Sequence, residues 1–402
     1  MHHRDLALYG GTPVRRGPFP QWPYFSEDEV SIAGDVLRSG KVNYWTGNEG
    51  RLFESEFATS AGCKYAVALA NGTVALELSL HVLRLGPGDE VIVTSRTFIA
   101  SASAVVMRGA IPVMADIDPV SQNITAESVR AVISPRTRAI ITVHMAGWPC
   151  DMDSINAIAK EYGLTVIEDC AQCHGATYKG CPVGSLADVA AFSFCQDKIM
   201  TTGGEGGMLT TNDEALWRMA WEFKDHGKSW DAVYKRQHPP GFRWLHDSFG
   251  TNWRLTEMQS AIGRLQLRKL QTWKAVRQRN AAVLTDCFSK IPSLRVTVPP
   301  PVFDHAFYKY YLFVRPDRLK SGWDRDLVMA AVNAEGVPCF SGSCSEIYME
   351  KAFEGIRPAA RLPVARELGE TSLMFLVHPT LQECDIADTC RAVEKVMTVA
   401  GK

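Results

Sequence analysis

The 402-residue sequence lacks the features that would mark several classes of protein. It contains no run of about 18 uncharged apolar residues, the minimum for a membrane-spanning helix, so no membrane span is expected. It has no block of basic residues, and 43 Lys plus Arg stand against 44 Asp plus Glu, a formal net charge of −1. A surface that tracks phosphates needs clustered positive charge, so no nucleic-acid partner is expected. Met1-His2-His3-Arg4-Asp5 runs into Gly10-Gly11-Thr12-Pro13 without an apolar stretch. A secretory signal is therefore not expected, and a cytoplasmic location is. No G-x-G-x-x-G follows a strand pattern, which removes the dinucleotide fingerprint, and no G-x-S-x-G elbow appears. Gly227-Lys228-Ser229 looks like a phosphate-binding G-K-S, but Glu222 stands where that loop requires glycine.

What is present is an ordinary globular composition, with 46% hydrophobic and 22% charged residues. Eleven cysteines without a signal argue for free thiols in a reducing compartment. Cys170-Ala171-Gln172-Cys173-His174 matches the C-x-x-C-H spacing of haem attachment. Cys170, Cys173, His174 and Cys181 would be the candidates for a zinc site, but a regular second pair is missing. Small buried residues behind a strand are the favoured reading of this run, and no metal is expected.

The chain divides by pattern. Residues 1–25, rich in Gly, Pro and aromatics, read as an extended N-terminal arm. Ser26 and Glu29 form a capping box that opens a helix to about residue 38. Short β-rich runs follow at 65–70, 90–94, 111–116, 139–143, 164–169, 189–194 and 206–211, almost free of charge as strands buried on both faces are. Helical patterns lie between them at 73–85, 99–108, 126–132 and 151–162. The alternation predicts an α/β fold with a mostly parallel seven-stranded sheet flanked by helices. A long helix is expected over 257–290, ended by Pro292 and the run Pro299-Pro300-Pro301. Beyond it, strands at 307–314 and 375–378 and helices at 324–335 and 385–399 predict a smaller α/β domain. The expected division is an arm over 1–25, a large domain over 26–290 and a small C-terminal domain over 291–402.

Three segments carry chemistry. Ala70-Asn71-Gly72-Thr73 places a glycine-bearing turn between a strand and a helix. The free N–H groups of a helix N-terminus attract anions such as phosphate, although Asn and Thr there are also ordinary caps. Val166-Ile167-Glu168-Asp169 delivers two carboxylates at the C-terminal end of a buried strand, the edge where open α/β sheets bind ligands. A buried carboxylate needs a partner, and a protonated ring nitrogen would serve as well as a turn or cap. Phe192-Ser193-Phe194 then leads into Lys198 and the loop Gly203-Gly204-Glu205-Gly206-Gly207. That loop puts a primary amine at the same edge. Lysine is the residue of imine chemistry, although most lysines are solvated surface residues.

In this order, together with Thr97-Phe98, Val183-Gly184 and Thr251-Asn252-Trp253-Arg254-Leu255-Thr256-Glu257, these segments resemble the fold type I pyridoxal-phosphate enzymes. More narrowly, they are similar to the DegT/DnrJ/EryC1/StrS family of sugar and cyclitol aminotransferases, over nearly the whole chain. The resemblance implies pyridoxal 5′-phosphate as cofactor, with Lys198 as the lysine that holds it and shuttles the proton. It implies Asp169 as partner of the ring nitrogen, Phe98 stacked on the ring and Gln172 near the ring hydroxyl. It implies Gly72, Thr73 and Ser193 at the phosphate, joined there by Asn252 from the neighbouring subunit of a homodimer.

The activity it implies is transfer of an amino group from L-glutamate or L-glutamine to a keto sugar, by ping-pong kinetics. The expected acceptor is a nucleotide-linked 3- or 4-keto-deoxysugar, for surface polysaccharide, lipopolysaccharide or a secondary metabolite. A scyllo-inosose-type cyclitol is the alternative acceptor, and a non-catalytic homologue that binds the cofactor or a sugar nucleotide is the alternative class. Lys198 disfavours the dehydratase branch, which carries histidine there. His174 and His226 are open between packing and ligand contact. Residues 228–249 form a loop of variable character that is expected to shape the substrate mouth, and residues 339–348 replace a segment that in cyclitol relatives helps bind donor or acceptor.

Overall fold

The computed structural model describes every residue except 1, 239 and 242. Seven strands build the main sheet: β1 (Tyr65–Leu69), β2 (Glu90–Thr94), β3 (Ile111–Ala115), β4 (Thr137–Val143), β5 (Thr165–Asp169), β6 (Val189–Ser193) and β7 (Gly207–Thr211). Their spatial order is β1-β7-β6-β5-β4-β2-β3. The pairs from β6 through to β3 are parallel, and β7 alone runs antiparallel to both of its neighbours. Every residue of β2, β6 and β7 is buried, which is why these strands read as apolar or small runs apart from Glu90, which pairs with Arg136. Helices such as Gly72–Val82, Ala100–Met107 and Met152–Tyr162 cover the faces, and all seven expected strands are found within two residues of their expected ends.

The 32-residue helix Glu257–Phe288 joins the two halves of the chain. Thr256 and Gln259 cap it reciprocally, as a capping box requires. Its start lies against helix Glu49–Ser60, while Ala281, Leu284, Cys287 and Phe288 enter a second core. That core backs a four-stranded sheet of Leu294–Val296, Tyr310–Val314, Ser372–Phe375 and Cys339–Phe340. A three-stranded sheet of Phe303–Asp304, Thr177–Tyr178 and Cys181–Pro182 lies apart from both.

Some expectations shift. The strand expected at 375–378 is Ser372–Phe375. Helix Pro363–Thr371 runs into it with no loop, so its start lacks a turn signal. Beyond Phe375 the backbone leaves the ladder, and Val377 O accepts from Asn280 Nδ2 instead. The strand expected from 307 starts at Tyr310, because Phe307 has φ +46, outside the extended region. The arm is not wholly extended, since His3–Asp5 and Ala7–Tyr9 form 3₁₀ turns. Leu6 is fully buried in the second core, and Arg15 Nη1 lies 2.6 Å from Asp385 Oδ1. Of the segment 228–249, Trp230–Tyr234 is helical and Lys228 bridges His246, while Pro239 lies outside the described residues. No helix among the described residues is long and apolar enough to cross a membrane.

Beneath β1, Lys224 Nζ lies 2.5 Å from Glu54 Oε1, with the lysine side chain fully buried. Glu54 also accepts hydrogen bonds from Ala68 N and Tyr44 OH. Lys224→Ala removes one partner and strands a buried carboxylate. The expected loss is about 3–5 kcal/mol of stability, read as a lowered urea midpoint.

Candidate active site

A cavity of about 550 Å³ opens at the C-terminal edge of the parallel strands, lined from the ends of β1, β2, β5 and β6. Seven of the eight cofactor-site candidates named from the sequence line it: Gly72, Thr73, Phe98, Asp169, Gln172, Ser193 and Lys198.

Asp169 is the last residue of β5 and only 5% exposed. Its Oδ2 accepts from Ser101 Oγ at 2.7 Å and its Oδ1 from Ala171 N at 3.1 Å. Burial pushes its carboxyl above the usual range, against the opposing pull of those two donors and of Lys198. The neighbouring carboxylate behaves differently because successive strand residues face opposite ways. Glu168 Oε1 accepts from Leu186 N, and its Oε2 accepts from Gly184 N and lies 2.9 Å from His144 Nε2. His144 Nδ1 accepts from Cys150 N, which assigns the ring proton to Nε2 and so to the bond with Glu168. Glu168 is thus satisfied by the protein. His144, Glu168 and Cys170 are the one grouping of potential metal ligands among the described residues, and these bonds occupy it.

Asn71 caps helix Gly72–Val82, its Oδ1 accepting from Val74 N at 3.0 Å. That first turn lines the cavity beside Ser193. A Cβ built on Gly72 would stand 2.6 Å from Ser193 Cβ, so only glycine fits this approach. Gln172 Oε1 accepts from Ala146 N, which leaves its Nε2 free of that bond. Phe98 is 68% exposed at the wall, an apolar ring with no protein covering it. Lys198 Nζ sits 3.4 Å from Asp197 Oδ1, and Trp22 Nε1 donates to Lys198 O at 2.8 Å. The arm therefore fixes the backbone of the lysine loop. Ser101, Trp22 and Asp197 were missed in the sequence, because only folding brings Ser101 to Asp169, Trp22 to the Lys198 backbone and Tyr308 to Asp197.

The remaining candidates stand elsewhere. Asn252 is exposed and outside this cavity, where it bridges Asp225. Trp45 Nε1, Lys228 Nζ and Arg254 Nη1 all bond to Asp225 and hold that segment. Cys170 and Cys173 are buried in a core with Phe57, Phe192 and Phe194, and burial raises both thiols well above their ordinary values. Cys181 is exposed. The His174 ring lies 5.5 Å from that of Phe192 and 5.6 Å from that of Phe194, and burial pushes its pKa down to about 3. His226 is exposed with φ +62, and neither histidine lines the cavity.

A helix N-terminus with a glycine cradle, a buried carboxylate short of positive charge, an uncovered aromatic ring and an amine fit a flat, phosphate-bearing cation. Comparison with known proteins agrees. Residues 23–394 match the DegT/DnrJ/EryC1/StrS aminotransferase family. The chain belongs to this family. It is accordingly a pyridoxal-phosphate-dependent aminotransferase of fold type I. Among solved structures, the aminotransferase from Psychrobacter cryohalolentis is 55% identical and superimposes with a TM-score of 0.93, covering 95% of this chain and 99% of that one. The UDP-N-acetyl-3-dehydro-alpha-D-glucosamine 3-aminotransferase of Acidithiobacillus ferrooxidans is 36% identical over 89% of this chain and 90% of its own. The GDP-perosamine synthase of Caulobacter vibrioides is 37% identical over 92% and 98%.

The aminotransferase should tolerate little at its phosphate end. Gly72→Ala is expected to cost about 1–3 kcal/mol of stability through overpacking. It should also weaken pyridoxal-phosphate binding by about tenfold or more, roughly 1.4 kcal/mol, read by fluorescence titration of the cofactor.

Proposed function

We propose that this aminotransferase moves an amino group from L-glutamate or L-glutamine to a keto sugar carried on a nucleotide, by a ping-pong sequence. In this reading the chain is an arm (1–25), a cofactor-binding domain (26–290) and a small domain (291–402), acting in the cytoplasm as a homodimer. The observation that carries the reading is the cavity that gathers Asp169, Lys198, Phe98 and the Gly72–Ser193 cradle at one sheet edge. The acceptor class is supported by the names of two relatives, one acting on a UDP-linked dehydro-glucosamine and the other making GDP-perosamine.

Pyridoxal phosphate supplies a carbonyl that takes up the amino group and a ring that accepts the electron pair of the donor's Cα–H bond. The chain supplies the rest. The first turn after Asn71, with Thr73 and Ser193, receives the phosphate on N–H and hydroxyl donors. Asp169 holds a proton on the ring nitrogen by charge, and its own burial strengthens that pairing. Phe98 covers one face of the ring and keeps water from it. Gln172, its carbonyl already engaged by Ala146 N, would offer its amide N–H₂ to the ring hydroxyl. Lys198 Nζ would take the α-proton from the donor and return a proton two atoms away, across the amino nitrogen, then reverse both moves for the keto sugar. Asn252 is exposed on a segment fixed through Asp225, and in this reading it would reach the phosphate bound by a partner subunit.

The test uses the cofactor-loaded protein and one donor at a time. L-glutamate or L-glutamine is expected to abolish the visible absorbance of the lysine-bound cofactor, and a nucleotide-linked keto sugar to restore it. Lys198→Ala should lose that absorbance and slow donor turnover by at least about 10²–10⁴-fold. A protein whose spectrum neither donor changes is a binder, and the proposal then fails.

A further inference from the structure

Lys198 is not the only ionised group at its position in the cavity. Asp197 lines the same wall, with its Oδ1 3.4 Å from Lys198 Nζ. Its second oxygen is taken by the hydroxyl of Tyr308, which donates to Oδ2 from a segment more than a hundred residues later. Tyr308 is buried, and its ring carries Lys198 Nζ 5.2 Å from its centre and Lys309 Nζ 4.9 Å from it. Behind Tyr308, the fully buried Arg277 donates to the carbonyls of Phe307 and Tyr308 and has no ion pair to a carboxylate among the described residues. Lys198 and Lys309 thus act on one clamped carboxylate, with Arg277 behind Tyr308.

We propose that Asp197 is a positioning residue for Lys198, held by Tyr308 so that Oδ1 both aims the amine and favours its protonated state. The inference rests on Lys198 being the cofactor lysine for its consequence in catalysis, but its electrostatic core concerns the amine alone. Burial by itself would raise the Asp197 carboxyl; Lys198 and then Tyr308 hold it below its ordinary value. The other charged groups around the amine do not substitute for it. Asp169, on β5, also acts on the amine by charge, but it is held by Ser101 and Ala171 N, and the ion pair of Lys198 is with Asp197. Glu205 and Cys195 lie across the glycine loop, and His174 is buried and neutral. Lys309 and Arg277 add positive charge, which disfavours a second ammonium unless a carboxylate offsets it. Burial pushes the Lys309 amine down to about 8, with Arg277 adding to the effect.

The first experiment follows the labelling of Lys198 by an amine-reactive anhydride across pH, read by peptide mass spectrometry on the full-length, cofactor-free protein. Asp197→Asn should lower the pH of half-maximal labelling by about half a unit, the size expected on losing a half-exposed ion pair. Tyr308→Phe should move it the same way by less, because it frees rather than removes the carboxylate. Asp197→Glu should restore most of the wild-type value. The second experiment titrates the absorbance of the lysine-bound cofactor, whose midpoint should fall in the same order while KM for the donor changes less than kcat. Unchanged labelling of Lys198 in both Asp197→Asn and Tyr308→Phe overturns the proposal whatever the enzyme's substrate. A shifted labelling curve in a protein that no donor converts keeps it and sinks the proposed function instead.

Discussion

The carboxylate of Asp169 closes a strand whose other residues are apolar or satisfied, and it is buried where the sheet opens to the cavity. Such a group is expensive to hold as an anion without a matching charge. Ser101 and the Ala171 N–H give it hydrogen bonds but no counter-charge. Ser101 can do so only because helix Ala100–Met107 follows β2, and because β2 lies two strands from β5 in the sheet. Lys198 bears on the same carboxylate because β6 is its other neighbour. The strand order of the core is therefore also the wiring of the site. What remains unmet is one positive charge, the specification that a protonated ring nitrogen fits.

Glu168 and Asp169 show how little chemistry the residue type decides. The two are adjacent, both are carboxylates and both are buried. One residue of strand alternation turns Glu168 toward backbone N–H groups and a histidine that consume its oxygens. The same alternation turns Asp169 to the cavity. Cys170 and Cys173 then fall into packed surroundings, with their thiols raised by burial, so the haem-like spacing has no reactive sulfur in it.

Much of this was legible beforehand because parallel strands buried on both faces leave long apolar runs, and because the site residues end those strands or follow them within five positions. Asn71, Gly72, Asp169, Ser193 and Lys198 could be placed at one edge for that reason. Less was legible where position depends on contacts far apart in the chain. Trp22 reaches Lys198 from the arm, and Tyr308 reaches Asp197 from beyond the long helix. No local pattern announces either. The last strand was misplaced by three residues because helix Pro363–Thr371 passes into it without a turn, and boundaries without turn chemistry have no signature. Asn252 could be singled out only through resemblance, since on one chain it faces solvent.

The phosphate cradle raises a geometric question that the sheet answers. β1 and β6 are not neighbours, since β7 lies between them, and adjacent strands stand about 4.8 Å apart. Yet the position of a Cβ on Gly72, just past β1, lies 2.6 Å from Ser193 at the end of β6. The chain must therefore cross over the intervening strand. It does so at the first residue of β7, Gly207, which pairs with Leu69 on one side and Ser193 on the other. A Cβ there would stand 2.2 Å from Asn71 O and 2.9 Å from Gly72 N. The reversal of β7 is what puts its beginning, rather than its end, at the ligand edge. The glycine-rich approach to that beginning then has two tasks: it carries the chain away from Lys198, and it arrives as a strand end without a side chain, low enough for the helix N-terminus to lean across. A side chain at residue 207 would separate the helix dipole from Ser193 with Lys198 and Asp169 still in place, so the anion end of the cavity depends on β7 in a way the amine end does not.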